Sequence, residues 1–265
     1  MSESSKVCVL IPVFNDQAGL NKTLHIMASD SFPYDIVVVD DGSDSPIVCA
    51  DQYGCHAVIL IRLEKNLGIE HGLNAGLEYI LKACYQYVAR LDAGDIPMEN
   101  RIDRQVNFLE QNPDVGIVGT WAKCVSDDGS YLFTLRFPTS HEGIIRKHRY
   151  LPALLHPAVM IRADALREID LYSDRYKAAE DFDLFVRISR KYRAANIPEV
   201  LTEYVVSRKG ITSVKRRRTL VSRLRVQIDN FYWRDLHSYL GVGRTVLLMG
   251  LPFSMITALK GYVWR

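Results

Sequence analysis

Two phosphate-binding signatures are missing from this chain. No G-x-G-x-x-G follows its first apolar run, so a Rossmann dinucleotide site is excluded there. No G-x-x-x-x-G-K-[ST] occurs either, which excludes a P-loop. The five cysteines, Cys8, Cys49, Cys55, Cys84 and Cys124, form no C-x-x-C pair and join no histidine at zinc spacing. Scattered thiols of that kind are expected in a reducing compartment. Met1 to Lys6 is polar and lacks the apolar core of a signal peptide, so the active part is expected in the cytoplasm. The net charge of only +2 argues against a nucleic-acid binder. A serine-nucleophile elbow, low-complexity tracts and internal repeats are also lacking.

What is present reads as an α/β domain. The 265 residues are 48% hydrophobic and 24% charged, ordinary values for a globular chain with a sizeable core. Short apolar runs at Val7–Pro12, Ile36–Asp40, Val58–Ile61 and Tyr87–Leu91 predict buried strands. Helical spacing at Gln17–Ala28 and over Leu73, Leu77, Ile80, Leu81 and Cys84 alternates with them, the pattern of a parallel sheet with covered faces. Further on, a helix is predicted over Arg101–Gln111 and strands at Val115–Gly119 and Val159–Ile161. A hairpin is expected across Trp121–Phe137 around Asp127-Asp128-Gly129, and a helix over Glu180–Tyr192. No interior linker is evident. The organisation is therefore one catalytic domain, residues 1–207, and a basic helical and apolar tail, residues 208–265.

Ligands of open parallel sheets lie beyond the carboxyl ends of strands. Those ends read Pro12-Val13-Phe14-Asn15, Asp40-Asp41-Gly42-Ser43-Asp44 and Asp92-Ala93-Gly94-Asp95. Carboxylates without a glycine-rich loop point to phosphate handling through a carboxylate-bound divalent cation.

Taken in order, Ile11-Pro12-Val13-Phe14-Asn15, Val38-Val39-Asp40-Asp41-Gly42-Ser43, Asn66-Leu67-Gly68 with Leu73-Asn74-Ala75-Gly76, Arg90-Leu91-Asp92-Ala93-Gly94-Asp95 and Ala179-Glu180-Asp181-Phe182-Asp183-Leu184 make the chain resemble a family 2 glycosyltransferase of the bacterial O-antigen or capsular polysaccharide type. The likeness spans roughly residues 6 to 207. It implies a GT-A fold, a UDP-sugar donor and Mn²⁺ or Mg²⁺. It further implies a nucleotide-sugar site of Pro12, Val13, Phe14, Asn15, Asp41, Asn66, Gly68, Asn74, Arg90 and Asp92. In the family's Asp-x-Asp, Gly94 stands at the second acid, so the metal falls to Asp92 with Asp95, or to Asp92 with waters and phosphates. Asp181 is the implied base, Glu180 its neighbour, and His156 in His156-Pro157-Ala158-Val159-Met160 lines the acceptor pocket. One base opposite the leaving group implies inversion at the anomeric carbon. A sugar nucleotidyltransferase and a nucleotide-sugar-binding scaffold without turnover are the rival readings; Gly94 alone favours the second.

The tail carries Arg208, Lys209, Lys215, Arg216, Arg217, Arg218, Arg223 and Arg225 with no acid between them. Such a run is either a solvated helix face or a surface for anionic lipid or an acceptor's pyrophosphate. Val246–Leu259 is apolar, but its roughly fourteen residues fall short of the ~20 that span a bilayer. An interfacial helix or re-entrant hairpin at the inner face of the cytoplasmic membrane, next to a polyprenyl-pyrophosphate-linked sugar acceptor, is the expectation, with a C-terminal helix docked on the core as the alternative.

Overall fold

The structure is a computed structural model, and it describes residues 5–98, 100–206 and 216–250. Its centre is β1 (Val7–Val13), buried at every position. Alternate side chains of a strand point to opposite faces. Val7, Val9, Ile11 and Val13 accordingly join one core with Leu20, Leu24 and Met27 of α1 (Gln17–Met27) and Ile102, Val106 and Leu109 of α3 (Arg101–Gln111). Cys8 and Leu10 join the other, with Leu73, Leu77 and Ile80 of α2 (Ile69–Lys82) and Leu184, Phe185 and Ile188 of α6 (Glu180–Lys191). Burying a side chain of that size contributes about 1.5–3 kcal/mol, so a strand covered on both faces is a dominant source of stability.

Parallel pairing joins β1 to β2 (Asp35–Asp40) and β5 (Tyr87–Arg90), and β2 to β4 (His56–Arg62). Beyond β5 the sheet becomes mixed. β9 (Met160–Arg162) lies antiparallel between β5 and β7 (Val115–Val125), and β10 (Arg193–Val205) runs parallel to β7. Short β3 (Gln52–Tyr53) and β6 (Ile96–Pro97) close the two edges, and β8 (Tyr131–Leu135) forms the expected hairpin with β7. The full order is β3-β4-β2-β1-β5-β9-β7-β10-β6.

The predicted strands and helices of the first half are all present, most shifted by only a few residues at their ends. β7 runs six residues past the predicted Val115–Gly119, to Val125. β10 and α4 (His141–His148) carry no clear sequence period and are additions. α5 (Ala163–Arg167) covers β9.

The C-terminal helices pack against the rest of the chain. α7 (Arg216–Asp229) inserts Val226 into a buried cluster with Tyr176, Ala179, Phe182 and Val186. α8 (Leu236–Gly250) packs on α7 and seats Gly241 against the Arg149 carbonyl. Both helices are therefore docked on the catalytic domain. Arg208, Lys209, Lys215 and the stretch 251–259 lie outside the described residues.

Gly76 marks the closest approach of α2 to the sheet. A Cβ there would stand 2.3 Å from Leu10 Cδ1 and 3.0 Å from Val39 Cγ2. Overpacking a filled core costs about 1–3 kcal/mol. Gly76→Ala is expected to lose stability in that range, read as a lower urea midpoint with an unchanged slope; an unaltered midpoint would refute the contact.

Candidate active site

Four loops leave the carboxyl edge of the sheet and are fastened to one another. After β1 the chain turns through Asn15, whose φ is 53°. The Asn15 amide donates to Ser43 Oγ at 2.9 Å, and its side chain exchanges two hydrogen bonds with Asp44. Asp40, fully buried, receives the Ser43 and Ile47 amides and pairs with Arg62 at 3.4 Å. Burial opposes its charge, but those amides and Arg62 prevail and its pKa is lowered. Gly42, at φ 67°, lies against the loop after β4, where a Cβ would meet the Lys65 carbonyl carbon at 2.2 Å.

Asp41 is also buried, and its Oδ1 accepts the Leu67 amide at 3.1 Å. Burial raises its pKa, with the Leu67 and Gly68 amides pulling the other way. Its position fastens the Asn66–Gly68 loop to β2. Gly68, at φ 107°, caps α2, while Phe14 and Leu67 are exposed. Asn74 lies within α2, and its amide clasps the Tyr172 backbone, donating to the carbonyl at 2.8 Å and accepting the N–H at 2.9 Å.

The β5 loop carries the acids of interest. Arg90 is buried, its amide bonds the Val159 carbonyl, and its guanidinium pairs with Asp92 at 2.5 Å. The Asp92 side chain remains 37% exposed. Asp95 does not stand beside it as a second open ligand. It is buried, its Oδ1 accepts the Val205 amide at 2.8 Å, and its Oδ2 has no partner. Burial, then the charge of Asp92, push its pKa up to about 8. Gly94 takes φ 94°, a conformation that disfavours any side chain, and its amide donates to Thr23 Oγ1 of α1. A Cβ there would point at Asp16, which caps α1, and at Gly19 within it, so an acid at 94 would be both strained and set beside another carboxylate.

Across the cleft, α6 begins with the second acid pair. Ala178, at φ 65°, holds a left-handed conformation immediately before it, the kind of local strain that gathers at functional sites. Asp181 is half-buried and its Oδ1 accepts the Phe182 amide at 2.7 Å. Burial raises its pKa; the Phe182 amide and Arg223 of α7 pull it back. Glu180 is buried with Oε2 unpartnered, and burial followed by the Asp181 charge push it up to about 8. The charges of Asp92 and Asp181 both act on Tyr172 and Tyr204, so the two acids lie near the same pair of tyrosines. His156 adjoins it, with Nε2 2.8 Å from the Tyr172 hydroxyl and its ring against Phe185. Burial, then Arg90, keep its pKa well below the usual value, so the ring is neutral.

Sequence reasoning missed Tyr172, Tyr204 and Glu70. Glu70 of α2 is buried 3.7 Å from Lys177 and adds its charge to that felt by Glu180. No local motif distinguishes these residues; tertiary contacts bring them in. Among the described residues no group of three or more acids, histidines or cysteines is arranged to hold a metal ion. Asp92 is the carboxylate open to a divalent cation, and, three residues on, Asp95 holds a buried, unpartnered Oδ2. Magnesium in particular is often held by one or two carboxylates plus substrate phosphates and water. Asp92, open to the cleft, meets that requirement.

A mostly parallel sheet between helical layers, with its acids on loops at the carboxyl edge, is the architecture of the GT-A class. The chain belongs to glycosyl transferase family 2, whose model matches residues 8–170. It is 31% identical over 217 residues to the amylovoran biosynthesis glycosyltransferase AmsE of Erwinia amylovora, covering 79% of each chain. It is 24% identical over 207 residues to an Escherichia coli UDP-Gal:alpha-D-GlcNAc-diphosphoundecaprenol beta-1,3-galactosyltransferase, covering 77% of this chain and 72% of that one. The fold is similar to S. aureus TarS 1-349 in complex with UDP-GlcNAc, with a TM-score of 0.66 at 16% identity, over 88% of this chain and 68% of that one. It is also similar to the mannosyltransferase PcManGT of Pyrobaculum calidifontis in complex with GDP-Man and Mn²⁺, with a TM-score of 0.62 at 17% identity, over 99% and 80%.

The environment of Asp95 has a consequence for stability. Its carboxyl is near 4 when unfolded and about 8 when folded. The folded state therefore binds the extra proton, and stability drains away as pH rises across that window. Asp95→Asn keeps the oxygen facing Val205 and cannot ionise. Between pH 6 and 8 the variant is expected to lose less melting temperature than wild type; parallel losses would show that Asp95 ionises freely in the fold.

Proposed function

We propose that this protein is an inverting, metal-dependent hexosyltransferase, moving a sugar from a UDP-linked donor to a hydroxyl of a lipid-pyrophosphate-linked glycan in cell-surface polysaccharide assembly. The observation that carries the reading is the pair of acids, Asp92 on the β5 loop and Asp181 at the start of α6, whose charges both reach Tyr172 and Tyr204. The nucleotide-sugar and acceptor are supported by what similar proteins are named for: a UDP-GlcNAc complex in one case, a diphosphoundecaprenol-linked acceptor in another.

In this reading Asp92 would hold the Mn²⁺ or Mg²⁺, with Arg90 fixing the carboxylate. The bound cation would neutralise charge developing on the departing diphosphate. Asp181 takes the proton from the acceptor hydroxyl. Partial burial strengthens it as a base, while the Phe182 amide and Arg223 oppose its protonation. Glu180, with a pKa of about 8, is mainly neutral at pH 7 and adds little repulsion to Asp181. The Pro12–Asn15 turn, Asp41 and the Asn66–Gly68 loop form the nucleotide side. His156 acts on the acceptor side through Tyr172.

Acceptor-dependent UDP release tests these roles. Asp181→Asn is expected to lower turnover about 10²–10⁴-fold with UDP binding intact. Glu180→Gln, which mimics the protonated acid, keeps most activity at pH 7, and EDTA abolishes the wild-type reaction. Undiminished turnover in Asp181→Asn would remove it as base, and full activity in EDTA would remove the metal.

Attachment at the inner membrane face is supported by α8 and its approach. Trp233, Leu236, Leu240 and Leu247 are 77%, 68%, 57% and 63% exposed, with Arg217, Arg218 and Arg225 exposed on α7. No helix of the described residues is long and apolar enough to cross a membrane. Aromatic and aliphatic groups beside arginines suit an anionic interface. Trp233→Ala with Leu236→Ala is expected to weaken co-sedimentation with phosphatidylglycerol vesicles at least fivefold; unchanged co-sedimentation would refute this face.

A further inference from the structure

One face of α2 reaches the residues that lead into α6. Glu70 and Asn74 stand one turn apart on that face. The Asn74 amide takes up both backbone groups of Tyr172, donating to its carbonyl at 2.8 Å and accepting its N–H at 2.9 Å. Glu70 is buried, and its carboxylate folds back over the Gly68 turn, where a Cβ would stand 2.9 Å from its Oε2. Its Oε1 lies 3.7 Å from Lys177 Nζ. Gly72, between the two, rests on the end of β2: a Cβ there would be 3.6 Å from Asp41 Cβ. α2 therefore touches Asp41 and the Gly68 turn on one side, and Tyr172 and Lys177 on the other.

The residues held in this way deliver the acid pair. Between Tyr172 and the start of α6 the chain forms only one 3-10 turn, Asp174–Tyr176. The first turn of α6 has no side-chain cap, since Ala179 occupies the capping position. Ala178 before it holds a left-handed φ of 65°, which an alanine does not adopt by its own preference. Contacts from outside must therefore fix the path of the segment. Tyr172 shares a core with Leu73 of α2 and Leu184 of α6, and its hydroxyl lies 2.8 Å from His156 Nε2. On the far side, Asp229 of α7 accepts the Tyr176 hydroxyl at 2.6 Å and pairs with Arg175 at 3.0 Å.

We infer that Asn74 and Glu70 are positioning residues: they clamp the 172–177 segment to α2 and so set the place of Asp181 relative to the Gly68 turn. The inference rests on the transferase reading, in which Asp181 is the base and the Gly68 turn belongs to the nucleotide side. Both residues act through the segment and not on the reacting atoms. The clamp also accounts for a glutamate buried over a glycine turn: its carboxylate joins the loop on the nucleotide side to the one that delivers the base. A reacting group displaced by about 1 Å can lose on the order of 10²-fold in rate, so a slack clamp is read in turnover before it is read in nucleotide binding.

The test uses the full chain with Asn74→Ala and Glu70→Gln, each alone and combined with Asp181→Asn. Three quantities are measured: acceptor-dependent UDP release, UDP affinity by calorimetry, and hydrogen exchange over residues 172–181. Asn74→Ala is expected to lower kcat roughly ten- to a hundredfold with UDP affinity unchanged. On the Asp181→Asn background it is expected to add almost nothing, because a base already removed cannot be misplaced. Exchange is expected to rise over 172–181 and to stay as in wild type elsewhere. Glu70→Gln keeps the shape, removes the ion pair and follows the same pattern with a smaller loss. Weaker UDP binding with unchanged kcat would overturn the clamp and make Asn74 a nucleotide contact. Losses that multiply in full with Asp181→Asn, or unaltered exchange over 172–181, would overturn it as well. If Asp181→Asn keeps full turnover, or wild type releases no UDP with any acceptor, the transferase reading falls, and exchange alone decides whether Asn74 and Glu70 hold the segment. Glu70→Gln and Lys177→Met leave the Tyr172 clasp in place and carry the test should Asn74→Ala fail to fold.

Discussion

A strand buried on both faces has no place for a charge along its length. β1, β2 and β5 are such strands for most of their length, and the chain places its acids and polar turns where they stop. The consequence is geometric. Parallel pairing brings the carboxyl ends of β1, β2, β4 and β5 to one edge, so residues distant in sequence become neighbours there. Asn15 with Asp44, Asp41 with Leu67, and Gly94 with Thr23 are the bonds that turn four separate loops into one surface.

Two acid pairs on that surface follow the same rule. In each, one member is buried and pushed to about 8 by burial and by its neighbour's charge: Asp95 beside Asp92, and Glu180 beside Asp181. The other member keeps a side facing the cleft. In the proposed reading the less buried member of each pair meets the ligand, Asp92 a cation and Asp181 the acceptor hydroxyl. Gly94 fits the same scheme, since its left-handed backbone shapes the turn that carries Asp92 outward and Asp95 inward.

Much of this was legible in the sequence, for a physical reason. Apolar runs that end in Asp or Asn report both the buried strand and the place where it surfaces, so β1, β2, β5 and their terminal acids could be read directly. The start of α6 was legible too, because Glu180 and Asp181 precede a clear helical period. β10 was not: it contains Pro198, shifts register near Ile197 and Val200, and draws its burial from β7. That Asp95 is turned inward while Asp92 stays open was not legible, because spacing cannot tell which carboxylate a turn sends inward. Nor was the clasp of Asn74 on Tyr172, 98 residues away.

The central claim is that a single carboxylate, Asp181, deprotonates an acceptor that attacks the sugar opposite its diphosphate. The anomeric configuration of the product tests it most directly. With an α-linked UDP-hexose donor and a lipid-diphosphate acceptor, the account predicts a β-glycoside, identified by the anomeric proton coupling in the nuclear magnetic resonance spectrum. An α-glycoside would contradict direct displacement and, with it, the role given to Asp181.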